Sequence, residues 1–463
     1  MFLTPSPMAD VLMLGIIGVI LGHSNWLHKR GRWLAIDPLN TFWVGILIYF
    51  ILDGALYADL FIAWHDSRVF ERTLFWVLFA VVWVVVGYEM SWGRVLALKA
   101  PSLPRKLEPD RLFFAGVALV GLGVAGYLYL MHRSGGPSVW LAAGRGGTDY
   151  EAISGYFTEL ASFVMPGTVL LLFHVVLHKP SLIRQCFIYS LLLSVLAWYF
   201  YLGSRTHFGT LAVVVVGSYY LARRRNPSLL LLVPLVFAML IVTEFMAAYR
   251  GQFTDLSLHL DEIDKEEAKE MTVSRWFGGQ ERELSRGCIF GCTMAAVALV
   301  PKQVPYDYGY SLCEMLTRPV PRALWPGKRY PLLEAHQNLY REGHLSDTVN
   351  PVANLLGGPA LGFVGNWWHI GGPLALAIGG VLLGVLWRSI RMIYDRAAGS
   401  EGDILVYSQL IMLGYAEAGG DPFYWVYGLP LVMIPLLLII YACRLQPVRG
   451  RRSRRAVNRS AQS

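Results

Sequence analysis

Long apolar runs constrain the fold of this chain more than any other feature. The runs VLMLGIIGVILG (11–22), LFWVLFAVVWVVVGY (74–88) and LPLVMIPLLLIIYAC (429–443) are examples. A helix needs about 20 mostly apolar residues to cross a bilayer. Runs of this kind recur along the 463 residues, whose mean hydropathy is +0.45. The sequence therefore predicts an all-α polytopic membrane protein.

Run length and composition predict about 11 membrane spans. They lie near 9–27, 41–63, 73–92, 111–131, 153–178, 185–203, 206–222, 228–248, 370–393, 404–420 and 422–443. Two shorter apolar pieces, 287–300 and 351–365, are rich in Gly and Pro. They either cross as a pair, which gives about 13 spans, or lie in or re-enter the membrane from outside.

The distribution of cations predicts the orientation of these spans. Five loops are rich in Lys and Arg (28–32, 93–106, 178–184, 223–225 and 387–396), and residues 444–463 hold seven arginines and no acid. With the predicted spans all six segments fall on one face, which the positive-inside rule assigns to the cytoplasm. The N-terminus is then external and the C-terminus cytoplasmic. Because the tail supplies most of the net charge of +8, it is typical of an anchor near anionic lipid and not of a nucleic-acid binder.

Four regions follow from this topology. They are an N-terminal transmembrane bundle of about eight spans (1–248), a large external segment (249–369), C-terminal transmembrane helices (370–443) and a basic cytoplasmic tail (444–463). At about 120 residues, the external segment is too long to be a mere connector. It is the predicted location of the chemistry.

Basic residues at the external face form the candidate site. A guanidinium there can snorkel to a lipid headgroup or bind a lipid-linked phosphate or diphosphate in a bidentate manner. The Pro-rich stretch RPVPRALWPGKRYP (318–331) is a stiff basic arm, whose tryptophan is either an interfacial anchor or a face for a sugar ring. The candidates are Arg205 in a tight turn, Arg250 at the end of a span, and Arg318, Arg322, Trp325 and Lys328 on the arm.

Carboxylates and histidines on the same face could accept or orient a hydroxyl proton. His336, His344 and Glu417 are the candidates we associate with substrate, and the sequence does not select a base. There is no Walker A, GxSxG, HExxH or DxD motif and no CxxC. We therefore expect neither a metal nor another cofactor.

Three stretches resemble the O-antigen and oligosaccharide repeat-unit polymerases of bacterial envelopes. They are GSRT (203–206), GYSLCEMLTRPVPRALWPGK (309–328) and LLGGPALGFVGNWWHIGGPLALAIGG (355–380). The resemblance covers about the second half of the chain, and PRxLWPGK is its most specific part. By motif match it gives Arg205, Arg322 and Lys328 contacts to the diphosphate-linked donor, and Arg250 the same role by position only.

The resemblance implies a GT-C-like membrane glycosyltransferase in the bacterial inner membrane. Its substrates would be repeat units on undecaprenyl diphosphate, joined at the periplasmic face by block transfer into lipopolysaccharide or exopolysaccharide. The implied partners are this lipid-linked glycan, membrane lipids and a chain-length regulator.

Three alternatives stay open. An O-antigen ligase would use an external histidine, for which His336, His344 and His369 are available. A transferase that uses a polyprenyl monophosphate sugar would use Asp66 in the first external loop. A transporter or flippase of an anionic lipid-linked glycan would line a membrane-deep cavity with cations.

Overall fold

The computed structural model describes residues 6–133, 160–201, 205–228, 289–309, 361–396, 400–419 and 422–444, with isolated positions between them. Within these ranges the secondary structure is helical. The helices are α1 (Pro7–Lys29), α2 (Pro38–Leu56), α3 (Ala58–His65), α4 (Ser67–Glu89), α5 (Trp92–Lys99), α6 (Pro109–Arg133), α7 (Ala161–His178), α8 (Leu182–Tyr201), α9 (Arg205–Ala222), α10 (Ile289–Leu299), α11 (Gly362–Arg396), α12 (Glu401–Gly419) and α13 (Pro422–Ala442).

Seven helices of the described residues are long and apolar enough to cross a membrane. They are α1, α2, α4, α6, α7, α11 and, over Leu182–Phe200, α8. Each covers most of a predicted span wherever the chain is described. In the part of the chain that the structure describes, the secondary structure is therefore helical as predicted, and the seven long apolar helices indicate a multi-pass membrane protein. The predicted span 228–248 lies largely outside the described residues.

The helix that corresponds to the predicted span 41–63 is shorter than this span and begins earlier. The Asp37 side chain accepts a hydrogen bond from the Leu39 amide and Pro38 occupies the first helical position, so α2 starts at Pro38. The helix widens into a π-helical segment over Leu47–Leu52 and ends at Leu56. Residues 58–63, predicted to continue the span, belong instead to the separate helix α3, because Tyr57 leaves the helical conformation at φ −118° and ψ 19°.

Glycines let α4 and α11 pack in close backbone contact. A Cβ at Gly384 would lie 2.2 Å from the Val84 carbonyl oxygen, and one at Gly87 would lie 2.3 Å from the Val381 carbonyl oxygen. In a membrane there is no hydrophobic driving force between apolar helices, so their association depends on close van der Waals packing. Small residues at a helix crossing allow this packing. This contact makes α4 and α11 the centre of the bundle.

The cation-rich segments meet at one end of the bundle, as their predicted common face requires. The Ala35 amide donates to Asn226 Oδ1 at 3.3 Å, and the Glu401 amide donates to the Arg105 carbonyl at 3.0 Å. Four further contacts join the other segments to this end: Arg184 with Asp110, Glu108 with Cys443, His178 with Glu401, and Arg396 with Ala100. We call this the basic end and the other the opposite end. That the basic end faces the cytoplasm stays a prediction.

The described parts of the short apolar pieces predicted at 287–300 and 351–365 pack together at the opposite end, where Thr293 contacts Leu361. Helix α10 spans only about 16 Å, half of the hydrocarbon thickness. It is buried against the start of α4, where Phe290 contacts Phe70, and both the crossing and the re-entry stay predictions. Residues 351–360 lie outside the described ranges. Residues 362–365 belong to the first part of α11, which the non-helical residues Gly371 and Gly372 separate from the part that follows Pro373.

Candidate functional site

Helix α11 is broken near the opposite end of the bundle. Gly371 and Gly372 have non-helical dihedral angles, and Gly372 lies in the left-handed region at φ 62°. The next residue, Pro373, has no N–H to donate to the His369 carbonyl. Two carbonyls are therefore left without their helical partners, which a membrane-embedded chain must compensate.

The loop at 300–309 supplies the missing hydrogen bonds. The Asp307 amide donates to the His369 carbonyl at 3.0 Å, and the Tyr308 amide donates to the Ile370 carbonyl at 2.8 Å. A Cβ at Gly372 would lie 2.6 Å from the Tyr306 hydroxyl, so this glycine lets the loop approach closely. The loop and the break in α11 thus form one unit, which we call the broken-helix site.

An aromatic and acidic turn forms the outer surface of this site. Tyr308 is 81% exposed and adopts the left-handed conformation at φ 49°, which bulky residues rarely do. Gly309 follows at φ 83°, and the rings of Tyr306 and Tyr308 meet edge to face at 5.9 Å. Aromatic faces beside a carboxylate such as Asp307 are suited to bind a polar ligand that also has an apolar face.

Helix α10 is tied to the same site through its C-terminal end. The Arg72 guanidinium donates to the Val297 carbonyl, and the Trp368 indole donates to the Val300 carbonyl at 3.3 Å. The Thr293 hydroxyl donates to the Leu361 carbonyl at 2.8 Å. These bonds fix the described part of the external segment on α4 and α11.

Two of the predicted site residues lie on helices that end at the opposite end. The C-terminal end of α9 is at the basic end, where Asn226 contacts Ala35, so its 18 residues place the first, Arg205, at the opposite end. Glu417 is buried in the last turn of α12. A Cβ at Gly362 would lie 3.1 Å from the carbonyl of neighbouring Ala418, so Glu417 is beside the start of α11.

Of the other predicted site residues, the structure describes only Trp325. Trp325 is exposed, with 48% of its surface accessible. Six residues lie outside the described ranges: Arg250, Arg318, Arg322, Lys328, His336 and His344. Their proximity to the broken-helix site stays a prediction.

Sequence reasoning missed the residues of the broken-helix site. Tyr306, Asp307 and Tyr308 occur in VPYDYGY (304–310), where a proline and a glycine bracket an acid between aromatic residues. That pattern signals a turn. The sequence does not show that the turn contacts the glycine pair of α11. That contact is made by backbone hydrogen bonds between residues about 60 positions apart in the chain.

A second charged cluster lies near the basic end and was also not predicted. Arg391 Nη1 donates to Asp37 Oδ2 at 3.3 Å, and the side chains are only 8% and 4% exposed. The Tyr407 hydroxyl donates to the same oxygen at 3.4 Å, while Arg391 Nε donates to Asp395 at 3.0 Å. Burial raises the pKa of the Asp37 carboxyl, an effect that Arg391 and the Leu39 amide oppose. This cluster joins the start of α2 to α11 and α12.

No group of three or more His, Cys, Asp or Glu side chains in the described residues is arranged to hold a metal ion. Comparison with protein-family models, with curated proteins and with solved structures finds no match. The seven long apolar helices indicate a multi-pass membrane protein. The broken-helix site, at the end opposite the cation-rich loops, is its candidate functional site.

Proposed function

We propose that the chain polymerises oligosaccharide repeat units carried on undecaprenyl diphosphate, by block glycosyl transfer at the periplasmic face of the bacterial inner membrane. The observation that carries the proposal is the separation of the two ends of the bundle. Cation-rich loops occupy one end, and the described part of the external segment gathers at the other with Arg205 and Glu417.

The proposed reaction requires cations at that end and no nucleotide. A hydroxyl on one lipid-linked repeat attacks the anomeric carbon of the growing chain and gives its proton to a carboxylate or histidine at the external face. The bond to the diphosphate oxygen breaks, and undecaprenyl diphosphate leaves. Negative charge then builds on the departing oxygen. Arginine is suited to bind that diphosphate through paired N–H donors. In this proposal Arg205, Arg322, Lys328 and Arg250 stabilise the leaving group.

The start of α9 adds to this electrostatic role. The first amides of a helix point outward along its axis and favour an anion at the N-terminus. Arg205 is the first residue of α9 that the structure describes, and the proposal assigns its charge and the start of the helix to the same anion. Arg318, Trp325, His336, His344 and Glu417 then have the proposed role of binding and orienting the glycans.

Deletion of the gene followed by electrophoresis of the surface glycans tests the proposal. A ladder that collapses to core plus one repeat is the expected result. Core without any repeat, with polymer retained on its lipid carrier, would instead identify a ligase. An unchanged ladder would contradict both.

Complementation of the deletion strain tests the assigned arginine. Losing one donor to a developing oxyanion costs about 3–4 kcal/mol, a rate loss of about 10²–10³. We therefore expect Arg205→Ala, present at normal abundance, to restore little or no ladder. Arg225→Ala, an exposed cation beyond the other end of α9, is the matched control and should restore it fully.

A further inference from the structure

A groove runs between α5 and α11 on the outer surface of the bundle. It has a volume of about 360 Å³ and an almost wholly apolar lining that includes Leu96, Ala97, Leu382, Val385, Leu386 and Ile393. Leu96, Leu382 and Leu386 are 54%, 54% and 44% exposed, so the groove opens away from the protein core. In a membrane, the surface on that side faces lipid.

Two small residues create the groove. Gly93 and Ala97 are buried and four residues apart, so they lie on one face of α5. A Cβ at Gly93 would lie 2.7 Å from the Arg388 Cβ. The small face lets α5 lie directly on α11, while the larger side chains on either side form the walls.

The length of the groove matches one leaflet of a bilayer. From Leu382 to Ile393 the axis of α11 rises about 16 Å, and half of a hydrocarbon core is about 15 Å thick. Since α11 continues to the basic end at Arg396, the end of the groove at Ile393 is the one nearer the basic surface. An acyl chain has this length and direction.

Positive charge marks the surface end of the groove. Lys99 is exposed two residues beyond Ala97 and has no partner among the described residues. Arg396 donates to the carbonyls of Ala97, Ala100 and Pro101, which fixes its guanidinium. A guanidinium has five N–H donors, and those that Arg396 does not use here have no partner among the described residues. The nearest acid along α11, Asp395, is paired with Arg391 at 3.0 Å.

We infer that this groove is a binding site for an anionic phospholipid of the leaflet at the basic end. One acyl chain lies between α5 and α11, and the headgroup phosphate meets Lys99 and Arg396. The apolar walls supply affinity for the chain, and the two cations select the charge of the headgroup. The site is distinct from the proposed glycan chemistry, which lies at the other end of the bundle.

Native mass spectrometry of the purified full-length chain tests the site. The protein is incubated with equal amounts of phosphatidylglycerol and phosphatidylcholine, and the retained lipid is counted. One cation near an anionic lipid contributes about fivefold in affinity. We expect the wild-type chain to prefer phosphatidylglycerol, Lys99→Ala to lower that preference about fivefold, and Leu386→Trp to reduce retention of both lipids by filling the groove.

Two control variants separate the groove from general effects. Lys29→Ala removes another exposed cation at the basic end, and Ile378→Trp enlarges another exposed side chain of α11 outside the groove lining. Both should behave like the wild type. Equal retention of the two lipids by the wild type, or an unchanged preference in Lys99→Ala, would overturn the inference. So would complete displacement of the lipid by inorganic phosphate, because that would mean the acyl chain is not held.

Discussion

Gly384→Ala tests the backbone contact at the crossing of α4 and α11. The new Cβ would lie 2.2 Å from the Val84 carbonyl oxygen and 2.5 Å from the Tyr88 amide nitrogen, where ordinary contacts begin at 3.4 Å. These are backbone atoms, which cannot rotate aside. The helices must therefore separate by about 1 Å, which forfeits a quarter to a half of the dispersion energy of each affected contact.

The magnitude follows from two opposing effects. Overpacking costs about 1–3 kcal/mol, and replacing a helical glycine by alanine returns about 0.5–1 kcal/mol. Because the new Cβ meets backbone atoms, we expect the upper end of the overpacking cost and a net loss of about 2 kcal/mol of stability, measured as a lower Tm by fluorescence-detected size-exclusion chromatography in detergent. The loss should appear at equal expression, since the defect is in packing.

Gly121→Ala in α6 is the matched control. Its Cβ would meet nothing within 4 Å, so only the helix-propensity gain of about 0.5–1 kcal/mol remains and its Tm should equal or exceed that of the wild type. The Tm of Gly384→Ala should thus fall below that of the wild type, and the Tm of Gly121→Ala should not. A Gly384→Ala protein as stable as Gly121→Ala would refute the close crossing.

Three other features give predictions of their own. Arg391→Met leaves the Asp37 carboxylate buried without its partner and should lower stability by about 3–5 kcal/mol. Adding Asp37→Asn to this variant should recover part of the Tm. Additive losses from the two substitutions would argue against the pair. Tyr308→Cys, in a chain without its native cysteines, should react with a membrane-impermeant maleimide in intact cells, and Lys29→Cys only after permeabilisation; the reverse pattern would contradict the predicted orientation. Gly372→Ala forces a side chain into a left-handed backbone position against the Tyr306 hydroxyl. Limited proteolysis should therefore cut the 300–309 loop faster than in the wild type. Equal cleavage rates would show that the loop does not depend on this glycine.

The sequence predicts the ordinary spans well because their signals are local. The predicted span 9–27 corresponds to α1. This helix is capped by the Ser6 side chain, begins at Pro7 and ends at Lys29. Likewise, the predicted 111–131 corresponds to α6 (Pro109–Arg133). Long apolar stretches bounded by caps and charges leave few alternatives for helix ends.

The charged and broken elements could not be predicted in the same way because their partners are distant in sequence. Asp37 and Arg391 are separated by 354 positions, and each alone is indistinguishable from an ordinary loop or interface charge. The break in α11 is signalled by its two glycines and the proline, but its stabilisation comes from Asp307 and Tyr308 in another segment. Backbone polar groups at membrane depth need such partners, and their identity is a tertiary property.

We propose that this chain itself joins lipid-linked repeat units. The most direct test is reconstitution of the purified chain in liposomes with the host's undecaprenyl diphosphate-linked repeat as the only glycan, and analysis of the product by mass spectrometry. We predict oligomers of the repeat that remain on the lipid carrier, with one free undecaprenyl diphosphate released for each linkage formed. Unchanged single repeats with no released diphosphate, from a chain that elutes as a folded species, would contradict the proposed activity.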